Sequence, residues 1–500
     1  MDFIHRLMAE DDSSLLPEFD ITDEVDGLEM NIYSDKSLSK STEFRERGDD
    51  LFNQCKSEES INRMILSLYS KSIAYAPADS EELALAYSNR SLLWLRLQQH
   101  DFCNFDIDKA LKITESKDLK EKLVIHKKVC LKSKKSCKPR KHVLSDVPKL
   151  LPSSNIPCGA DCISVECNEE YGRHFVATRD IEAGEIILNE QTSYASVDLH
   201  NLYLVCSHCL AYAWTGIPCD SCVFTIYCSE SCKREAWSEY HDVLCPMLPF
   251  LICKPYRNVA CAFLNVLRML IVIIRKEGLE TVISEAKRID GKIDENKLLP
   301  CGVSDCTKFS SVYSLKSEFD EECFEKDLFE LGLNRQTTIL MKLLNKSPIL
   351  MDHQKQQFSK KVILSSLRVV LRKLFVIYSS NNFKFEDVQQ AHKNLSVLTD
   401  ISGKGNILGA CSSLINHSCD PNICRIFIPG PKIIMFTVRP VKKGEQLLIS
   451  YGANATEVTE LRQQQLRETF SFWCNCKPCV EDWPELDTLV SKIENYRGFT

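Results

Sequence analysis

The chain has 500 residues, and 44% of them are hydrophobic, so it can bury a substantial core in about two to four domains. Its formal net charge of −7 argues against a protein that wraps nucleic acid with its whole surface. Residues 1–12 mix charged and apolar side chains, and no apolar run reaches the roughly 18 residues that cross a bilayer. We therefore expect a soluble protein of the cytoplasm and nucleus, without membrane contact.

The number of cysteines is the most unusual feature of the composition. The chain contains 25 of them. Without a secretory signal, so many thiols are better explained by metal ligation and burial than by disulfides. Eleven have neighbours at spacings typical of zinc ligands, and the remaining 14, such as Cys55, Cys261 and Cys411, are interpreted as small hydrophobic residues.

The N-terminal part of the chain is predicted to be helical after an acidic start. Residues 1–40 are acidic and rich in serine, which predicts a disordered tail. From 41 to 135 apolar residues recur at helical spacing, and the offset of 43 between Gly48 and Ser91 fits a tetratricopeptide repeat of about 34 residues with an insertion of about nine. The alternative is a plain helical bundle. A repeat array would offer its concave face to a peptide or chaperone partner.

Two further segments precede the cysteine-rich region. A basic run from Lys132 to His142 continues into proline-rich sequence, and we interpret residues 136–157 as a linker. The alternatives for the basic run are a nuclear-import signal or a nucleic-acid contact. Residues 158–200 contain short runs of alternating apolar residues bounded by glycine turns, and Arg173 lies at one of these turns. This pattern predicts a small β-sheet.

The strongest metal signal in the chain lies in residues 206–245. Thiolates and one imidazole recur there at the close spacing of zinc ligands, and two tetrahedral zinc sites require eight such groups. The eight candidates are Cys206, Cys209, Cys219, Cys222, Cys228, Cys232, His241 and Cys245. Metal ligation would replace the core that so short a segment cannot build.

The C-terminal half combines a helical segment with a second group of cysteines. Residues 250–395 are predicted to be mainly helical, and residues 396–453 contain the turn Asn-His-Ser-Cys-Asp-Pro-Asn at 416–422 and an apolar strand that leads to Tyr451. Three cysteines follow within 454–482, before a tail at 483–500; they are Cys474, Cys476 and Cys479. A closed structural zinc site needs a fourth ligand.

These motifs together resemble the SET-and-MYND-domain family of protein-lysine methyltransferases, and the N-terminal repeats narrow the resemblance to its tetratricopeptide-bearing subgroup. The resemblance covers residues 41–480 and implies an α+β multidomain fold. In that fold, N-terminal helical repeats precede a split, β-rich SET domain. A MYND zinc finger and a helical segment are inserted into the SET domain, and a zinc-binding post-SET segment follows it.

The resemblance also implies three zinc ions and assigns their ligands. In the MYND finger one ion would be bound by Cys206, Cys209, Cys228 and Cys232, and the other by Cys219, Cys222, His241 and Cys245. In the post-SET segment the missing fourth ligand would be Cys419, which lies inside the 416–422 turn.

For function, the resemblance implies methyl transfer from S-adenosylmethionine to a lysine of a histone or non-histone protein. Tyr451 would be the catalytic tyrosine, and Phe470 and Phe472 would line the lysine channel. The implied cofactor contacts are Arg173, Asn394, Asn416, His417, Tyr451 and Phe472. The finger would bind proline-containing partner peptides.

Two positions depart from the family pattern. His174 replaces a glycine of the cofactor turn, and Phe470 replaces a tyrosine. Both departures favour an alternative function, a non-catalytic adaptor or transcriptional co-repressor that binds peptides through the finger and the repeats. The presence of Asn416, His417 and Tyr451 favours the enzyme. A third alternative, a nucleic-acid-binding zinc protein, is disfavoured because the chain is acidic and has no basic stripe around the finger.

Overall fold

A computed structural model describes most of the chain. The described residues are 36–54, 59–134, 150, 156–252, 260–294, 308–315, 326–350, 358–385 and 404–484. Four predicted features lie wholly or mostly outside these ranges: the tail at 1–40, the linker at 136–157, the tail at 483–500 and the cofactor residue Asn394. Within them, no helix is long and apolar enough to cross a bilayer.

The N-terminal region is helical, as predicted. In residues 36–54 and 59–134, which the structure describes, five helices follow one another and each packs against the next; they are α1 (Leu38–Gln54), α2 (Glu59–Tyr75), α3 (Glu81–Arg96), α4 (His100–Ile113) and α5 (Lys117–Lys134). Helix α3 begins at an N-cap, because the Ser80 side chain accepts a hydrogen bond from the backbone N–H of Leu83 at 3.2 Å.

The two small residues that suggested a repeat lie at close helix contacts. A Cβ atom at Gly48 in α1 would overlap the ring of Tyr69 in α2, so only glycine allows the two helices to approach this closely. Ser91 in α3 is fully buried. Both residues thus lie in packed parts of the helical region, and the repeat itself stays a prediction.

The β-structure consists of short strands that form several small sheets. The strands are β1 (Ile163–Asn168), β2 (Gly172–Ala177), β3 (Ile186–Gln191), β4 (Ala195–Val197), β5 (Ile217–Pro218), β6 (Ile226–Tyr227), β7 (Phe383–Phe385), β8 (Gly405–Ile407), β9 (Asn416–His417), β10 (Ile423–Ile428), β11 (Lys432–Thr437) and β12 (Leu448–Ile449). Strands β1 and β2 form a hairpin, β10, β11 and β3 an antiparallel sheet, and β9 and β12 a parallel pair.

Strands from distant parts of the sequence pair directly. Strand β3 pairs with β11, with Leu188 opposite Met435, and β4 pairs with β8, with Ala195 opposite Ile407. The two halves of the predicted SET domain therefore form one β-structure although more than 200 residues separate them.

The cysteine-rich segment is compact and uses a broadened helical turn. Strands β5 and β6 form a hairpin, after which the chain enters helix α6 (Glu230–Ala236) and a π-helical turn at Trp237–His241. Short helical turns follow at α7 (Asp242–Leu244), Cys245–Met247 and α8 (Leu248–Ile252). The π-helical turn carries His241, in line with the frequent occurrence of such turns at functional sites.

Helices fill the interval between the two β-rich halves. They are α9 (Ala260–Glu277), α10 (Leu279–Asp294), α11 (Phe309–Tyr313), α12 (Lys326–Asn345) and α13 (Lys360–Asn381). After β12 the described chain continues through α14 (Thr459–Phe470) and α15 (Lys477–Val480). Most side chains of α9 are buried, which explains why its sequence is apolar on nearly all sides.

A single buried cluster runs from the N-terminal helices through the cysteine-rich segment and the sheets to α13. A second, smaller cluster contains Cys419, Ala453, Leu466 and Cys474, with Tyr451, Phe470 and Phe472 packed against it. Tyr451 lies at the border of both clusters, so the predicted catalytic residue stands where the β-core meets the C-terminal helices.

Candidate active site and metal centres

The candidate active site is built around the parallel pairing of β9 and β12. This pairing places Asn416 opposite Leu448 and His417 opposite Ile449. Tyr451 follows shortly after β12, and its backbone N–H donates a hydrogen bond to Nδ1 of His417 at 3.0 Å. The Asn-His turn and Tyr451, which are 34 residues apart in sequence, are therefore neighbours in space.

Asn422, the last residue of the 416–422 turn, holds the two segments together. Its side-chain amide donates to the carbonyl of Gln446 at 2.8 Å and to Oε1 of Glu445 at 3.2 Å, and its side-chain oxygen accepts from the Leu448 N–H at 2.7 Å. Asn422 is fully buried. Such a satisfied polar network fixes one register in a way that apolar packing alone does not.

A buried carboxylate supports the other end of the turn. Glu190, at the end of β3, accepts hydrogen bonds from the backbone N–H groups of Cys411 and Ser412, each at 2.9 Å. These N–H groups open the 3₁₀ turn at Ser412–Leu414 that leads into Asn416. The position of the Asn-His pair therefore depends on a residue more than 200 positions earlier in the chain.

Aromatic rings surround Tyr451. Its ring centroid lies 4.9 Å from that of Phe470, 5.3 Å from that of His417 and 6.4 Å from that of Phe472. His417 and Phe472 are 6.0 Å apart. The side chains of His417, Tyr451, Phe470 and Phe472 form an aromatic group that we call the Tyr451 cage. They come from β9, the segment after β12, α14 and the segment after α14. All four side chains are half-buried, and an aromatic wall of this kind suits contact with an alkyl chain.

The environment of the cage keeps its polar groups neutral. The Tyr451 hydroxyl donates to the backbone carbonyl of Ile415 at 2.7 Å, and its burial raises the pKa of the phenol above the ordinary range. Burial also lowers the pKa of His417 to about 4. At neutral pH the imidazole is therefore uncharged, and its Nδ1 is an acceptor for the Tyr451 N–H.

The hairpin of β1 and β2 approaches the Asn-His pair. The Asn416 side chain donates to the backbone carbonyl of Tyr171 at 3.0 Å, directly before Gly172. Gly172 has a φ of +60°, whereas His174 has no positive φ and lies within β2. His174 is nearly fully buried, with Nδ1 2.9 Å from the Gly172 carbonyl oxygen. The replacement at 174 thus causes no strain in the turn, because the left-handed position is Gly172.

The remaining predicted cofactor residues are less closely gathered. Arg173 donates from Nη1 to the Ser314 hydroxyl at 3.2 Å and from Nη2 to the Ser314 carbonyl, so it contacts the loop after α11. Phe472 lies in the Tyr451 cage. Asn394 lies outside the described residues. The structure therefore gathers Asn416, His417, Tyr451 and Phe472, and it places Arg173 two residues after the carbonyl that Asn416 contacts.

The four cysteines predicted for the post-SET segment come together beside the cage. The Sγ atoms of Cys419, Cys474, Cys476 and Cys479 all lie within 4.8 Å of one another, and those of Cys419 and Cys479 are 3.6 Å apart. His417 Nε2 lies 3.3 Å from Cys419 Sγ. This cluster attaches the segment after α14, which includes Phe472, to the 416–422 turn.

The cysteine-rich segment holds two further groups, with the interleaved membership predicted from sequence. Cys206, Cys209, Cys228 and Cys232 form one, and Cys219, Cys222, His241 and Cys245 form the other; in each group the ligand atoms lie within 4.8 Å of one another. The Sγ atoms of Cys209 and Cys228 are 3.5 Å apart, and His241 Nε2 lies 3.3 Å from Cys219 Sγ.

The chemistry of all three groups fits zinc. A tetrahedron with zinc–sulfur bonds of about 2.3 Å places its sulfur atoms about 3.8 Å apart. Neighbouring sulfur atoms lie near this value, at 3.5 Å for Cys209 and Cys228, 3.6 Å for Cys228 and Cys232 and 3.9 Å for Cys219 and Cys245. Four soft donors per group, without an open position for water, are typical of a closed structural site.

Sequence reasoning missed two residues that position the site. Asn422 was visible as the end of the 416–422 turn, but nothing in the sequence indicated which partners its amide would find. Glu190 offered only a weak signal, an acidic residue in an apolar strand. Such a residue is expected to be buried only when it is paired or hydrogen-bonded.

Comparison with known proteins supports this architecture. A family model described as the SET domain matches residues 172–452, which is more than half of the chain. The protein-lysine N-methyltransferase SMYD4 of Pongo abelii is 22% identical, over 89% of this chain and 67% of the relative. The SMYD4 of Danio rerio is 25% identical, over 90% of this chain and 66% of the relative.

Other similarities are more partial. The SET domain and MYND-type zinc finger protein 6 of Schizosaccharomyces pombe is 24% identical, over 65% of this chain and 53% of that protein. A crystal structure of the SET domain of LSMT bound to lysine and AdoHcy matches 65% of this chain and 54% of that one, with 11% identity and a TM-score of 0.26, a level that supports no conclusion about the site.

The curated relatives are longer than this chain, which spans about two thirds of the SMYD4 sequences. The match to the family model includes both β-rich halves, the 416–422 turn and Tyr451. The chain belongs to the SET-domain family.

Proposed function

We propose that this chain is a protein-lysine N-methyltransferase that uses S-adenosylmethionine as methyl donor. The observation that carries the proposal is the Tyr451 cage, because the half-buried Tyr451 packs against Phe470, Phe472 and His417, and its backbone N–H donates to His417, which directly follows Asn416. The names of the SMYD relatives, which describe lysine methyltransferases, support the same reaction.

In this proposal the cofactor contacts are Arg173, Asn394, Asn416, His417, Tyr451 and Phe472. S-adenosylmethionine, when bound, supplies an electrophilic sulfonium methyl group, so the protein has to provide orientation rather than a covalent intermediate. Asn416 and His417 would bind it from the parallel strand pair. Arg173 would lie near its carboxylate end, at the turn that Asn416 contacts.

The aromatic side chains would serve the substrate lysine. A channel lined by Phe470 and Phe472 excludes water, and such burial favours the neutral amine that can attack a methyl group. The Tyr451 hydroxyl would align the amine with the methyl group. Phe470 offers no hydroxyl, so we propose that the degree of methylation differs from that of relatives with tyrosine there.

The metal groups and domain limits complete the proposal. We assign one zinc ion to each of the three groups, two in a MYND finger at 206–245 and one in a post-SET segment at 454–482. We assign residues 41–135 to tetratricopeptide-like repeats, 158–200 and 396–453 to the two SET parts and 250–395 to the helical insert.

The proposed partners follow from these domains. The substrate is a lysine-containing protein, the finger binds proline-containing peptides, and the helical repeats bind a peptide or chaperone. The basic run after Leu131 supports a protein that acts in both cytoplasm and nucleus. Fluorescence imaging of the tagged chain, with and without residues 132–141, tests the nuclear part of this proposal.

One observation favours the adaptor as a second candidate. Arg173, the proposed partner of the cofactor carboxylate, donates to the hydroxyl and carbonyl groups of Ser314. A SET domain whose cofactor arginine is engaged elsewhere would serve as a scaffold for the finger and the repeats. Cofactor binding separates the two functions.

The deciding experiment is calorimetric titration of S-adenosylmethionine into the full, zinc-loaded chain. The wild type is compared with an Asn416→Ala, His417→Ala variant and with a matched control, Asn53→Ala, His126→Ala, in the N-terminal helices. We expect saturable binding by the wild type and the control and at least tenfold weaker binding by the site variant. If the folded, zinc-loaded wild type does not bind, the enzyme is excluded and the adaptor remains.

A further inference from the structure

Two cysteines outside all three metal groups face each other in the N-terminal helices. Cys103 in α4 and Cys130 in α5 are both fully buried, and their Sγ atoms are 2.7 Å apart. Both are free thiols, and neither belongs to any metal-binding group found among the described residues. The sequence had suggested only small hydrophobic residues at these positions.

The distance between the two sulfur atoms is too short for ordinary packing. Non-bonded heavy atoms rest at roughly 3.5–4.0 Å, and a disulfide joins its sulfur atoms at about 2.05 Å. At 2.7 Å the pair lies between these values. The backbones of α4 and α5 thus already bring the two side chains within bonding reach, and a bond requires only a small shift of the side chains.

The pair lies at the last helix of the N-terminal region. Helix α5 packs against α4 and buries Leu119, Leu123 and Cys130, whereas Val124 and Ile125 are exposed. A terminal helix with one packed face opens at a lower free-energy cost than a central one. Such opening gives the buried thiols transient access to solvent.

We propose that Cys103 and Cys130 are a redox modification site that forms a reversible disulfide between α4 and α5. The proposal is independent of the methyltransferase activity. The oxidant class is a low-molecular-weight disulfide, for which glutathione disulfide is the probe. One thiolate attacks glutathione disulfide and releases a glutathione thiolate. The thiolate of the second cysteine then attacks the mixed disulfide and releases a second glutathione thiolate. In total, two cysteines and one glutathione disulfide yield one protein disulfide and two glutathiones.

Burial sets the rate of this reaction. Burial and the neighbouring Cys130 raise the pKa of the Cys103 thiol well above the usual range, so the attacking thiolate forms only when α5 opens. Once formed, the bond closes a ring across 27 positions and restrains the helix that precedes the basic run at 132–141.

The test maps the disulfide in the full, zinc-loaded chain. The protein is equilibrated in glutathione buffers of increasing oxidised fraction, quenched with acid, alkylated and digested with trypsin. Residues 97–109 and 129–132 are tryptic peptides that each contain one cysteine. We expect their disulfide-linked product to increase with the oxidised fraction and to disappear with dithiothreitol, at unchanged zinc content.

A thermal readout and two controls complete the test. Oxidation should raise the melting temperature by about 2 °C or more, because the bond restrains the unfolded chain. The shift should vanish in Cys130→Ser and persist in Cys424→Ser, since Cys424 is an exposed thiol on β10. Glutathionylation of the exposed Cys424 in the wild type shows that the buffer is oxidising enough. The proposal is overturned if Cys103 and Cys130 remain fully alkylated in such a buffer, or if Cys103 forms a disulfide with a cysteine other than Cys130.

Discussion

Tyr451 combines two kinds of contact that rarely serve packing alone. Its ring is enclosed by aromatic side chains, and its hydroxyl is fixed by the Ile415 carbonyl at 2.7 Å. A buried phenol with a single acceptor holds one orientation, which is what alignment of a methyl transfer requires. The residue also lies two positions after the strand that pairs with Asn416, and its N–H donates to His417, so its position and that of the proposed cofactor contacts are coupled.

Tyr451→Phe tests the role of the hydroxyl. We expect methyl transfer to fall by about 10²-fold or more, as for the removal of other positioned polar groups at reacting centres, while S-adenosylmethionine affinity changes by less than about threefold. The assay uses tritiated S-adenosylmethionine with a substrate identified on a peptide array, together with calorimetric binding. A variant with wild-type turnover would show that the hydroxyl has no part in the reaction.

Asn422 is the residue whose loss should affect the fold of the site most. Asn422→Ala removes three hydrogen bonds that a buried amide makes to half-buried partners, so we expect a loss of about 2–4 kcal/mol in the free energy of unfolding. Asn454→Ala is the matched control, because the Asn454 side chain accepts hydrogen bonds from the backbone N–H and the hydroxyl of Thr456, two residues away. Urea denaturation followed by circular dichroism compares the two variants, and equal losses would contradict the proposed role of Asn422.

At the level of elements, two turns of the same type support the β-core. In each, a glutamate follows glycine and accepts from the N–H three residues earlier: Glu185 from Glu182 at 2.7 Å, and Glu445 from Lys442 at 3.1 Å. Partial burial alone would raise the pKa of Glu445. Hydrogen bonds from the Lys442 N–H and from two side chains outweigh burial and lower the pKa below its usual value.

This depressed pKa predicts a pH dependence. The charged carboxylate stabilises the folded state, so its contribution is complete above the unfolded pKa of about 4.3 and is lost as the pH falls through the lower folded value. The melting temperature of the wild type should therefore exceed that of Glu445→Gln by a constant amount from pH 8 to pH 6, and the gap should narrow below about pH 4.3. Acid would also release zinc from the proposed metal sites of both proteins, so only their difference reports on Glu445. A gap that widens in acid would contradict the assignment.

The post-SET element depends on metal rather than on a core of its own. The second buried cluster is small, and two of its four buried members are cysteines of the proposed metal site. We therefore expect Cys474→Ser to lower the bound zinc from three equivalents to two and to weaken S-adenosylmethionine binding through displacement of Phe472. Elemental analysis and calorimetry check both effects. Cys424→Ser, which lies outside the metal groups, should change neither.

At the level of the whole molecule, the N-terminal helices and the cysteine-rich segment share one core. Arg90 in α3 and Asp106 in α4 form a fully buried ion pair at 2.7 Å, and the Arg90 guanidinium also donates to the Gly216 carbonyl in the cysteine-rich segment. The rings of Trp94 and Trp214 meet edge to face, 6.2 Å apart. The helical region is therefore an integral part of the fold.

Asp106→Asn tests this coupling. It leaves the Arg90 charge buried without compensation, so we expect a loss of about 3–5 kcal/mol. An Arg90→Met, Asp106→Leu variant removes both charges and should recover part of that loss. Glu230→Gln, at an exposed ion pair with Lys109, should cost less than about 1 kcal/mol. Chemical denaturation ranks the three variants, and an equal effect of Asp106→Asn and Glu230→Gln would contradict the coupling.

The sequence indicated much of the local structure and of the candidate site. Spacing alone identified the eight ligands in 206–245, because zinc chemistry restricts both the residue types and their intervals. Periodicity identified the helices up to α5 and the strands around Arg173, because apolar residues must share one face of an element. The resemblance of the 416–422 turn and Tyr451 to a known family then led to the methyltransferase hypothesis.

Only the tertiary structure decided which distant residues meet. Local sequence patterns do not predict contacts between residues that are far apart in the chain. Examples are the hydrogen bonds of Glu190 with Cys411 and Ser412 and the contact between Cys103 and Cys130. The same holds for Arg90, whose buried charge is tolerated because α4 supplies Asp106. Local propensity and ligand spacing therefore indicated the elements and the eight candidate ligands in 206–245, whereas pairing across the fold brought Cys419 to Cys474, Cys476 and Cys479 and determined the cage around Tyr451.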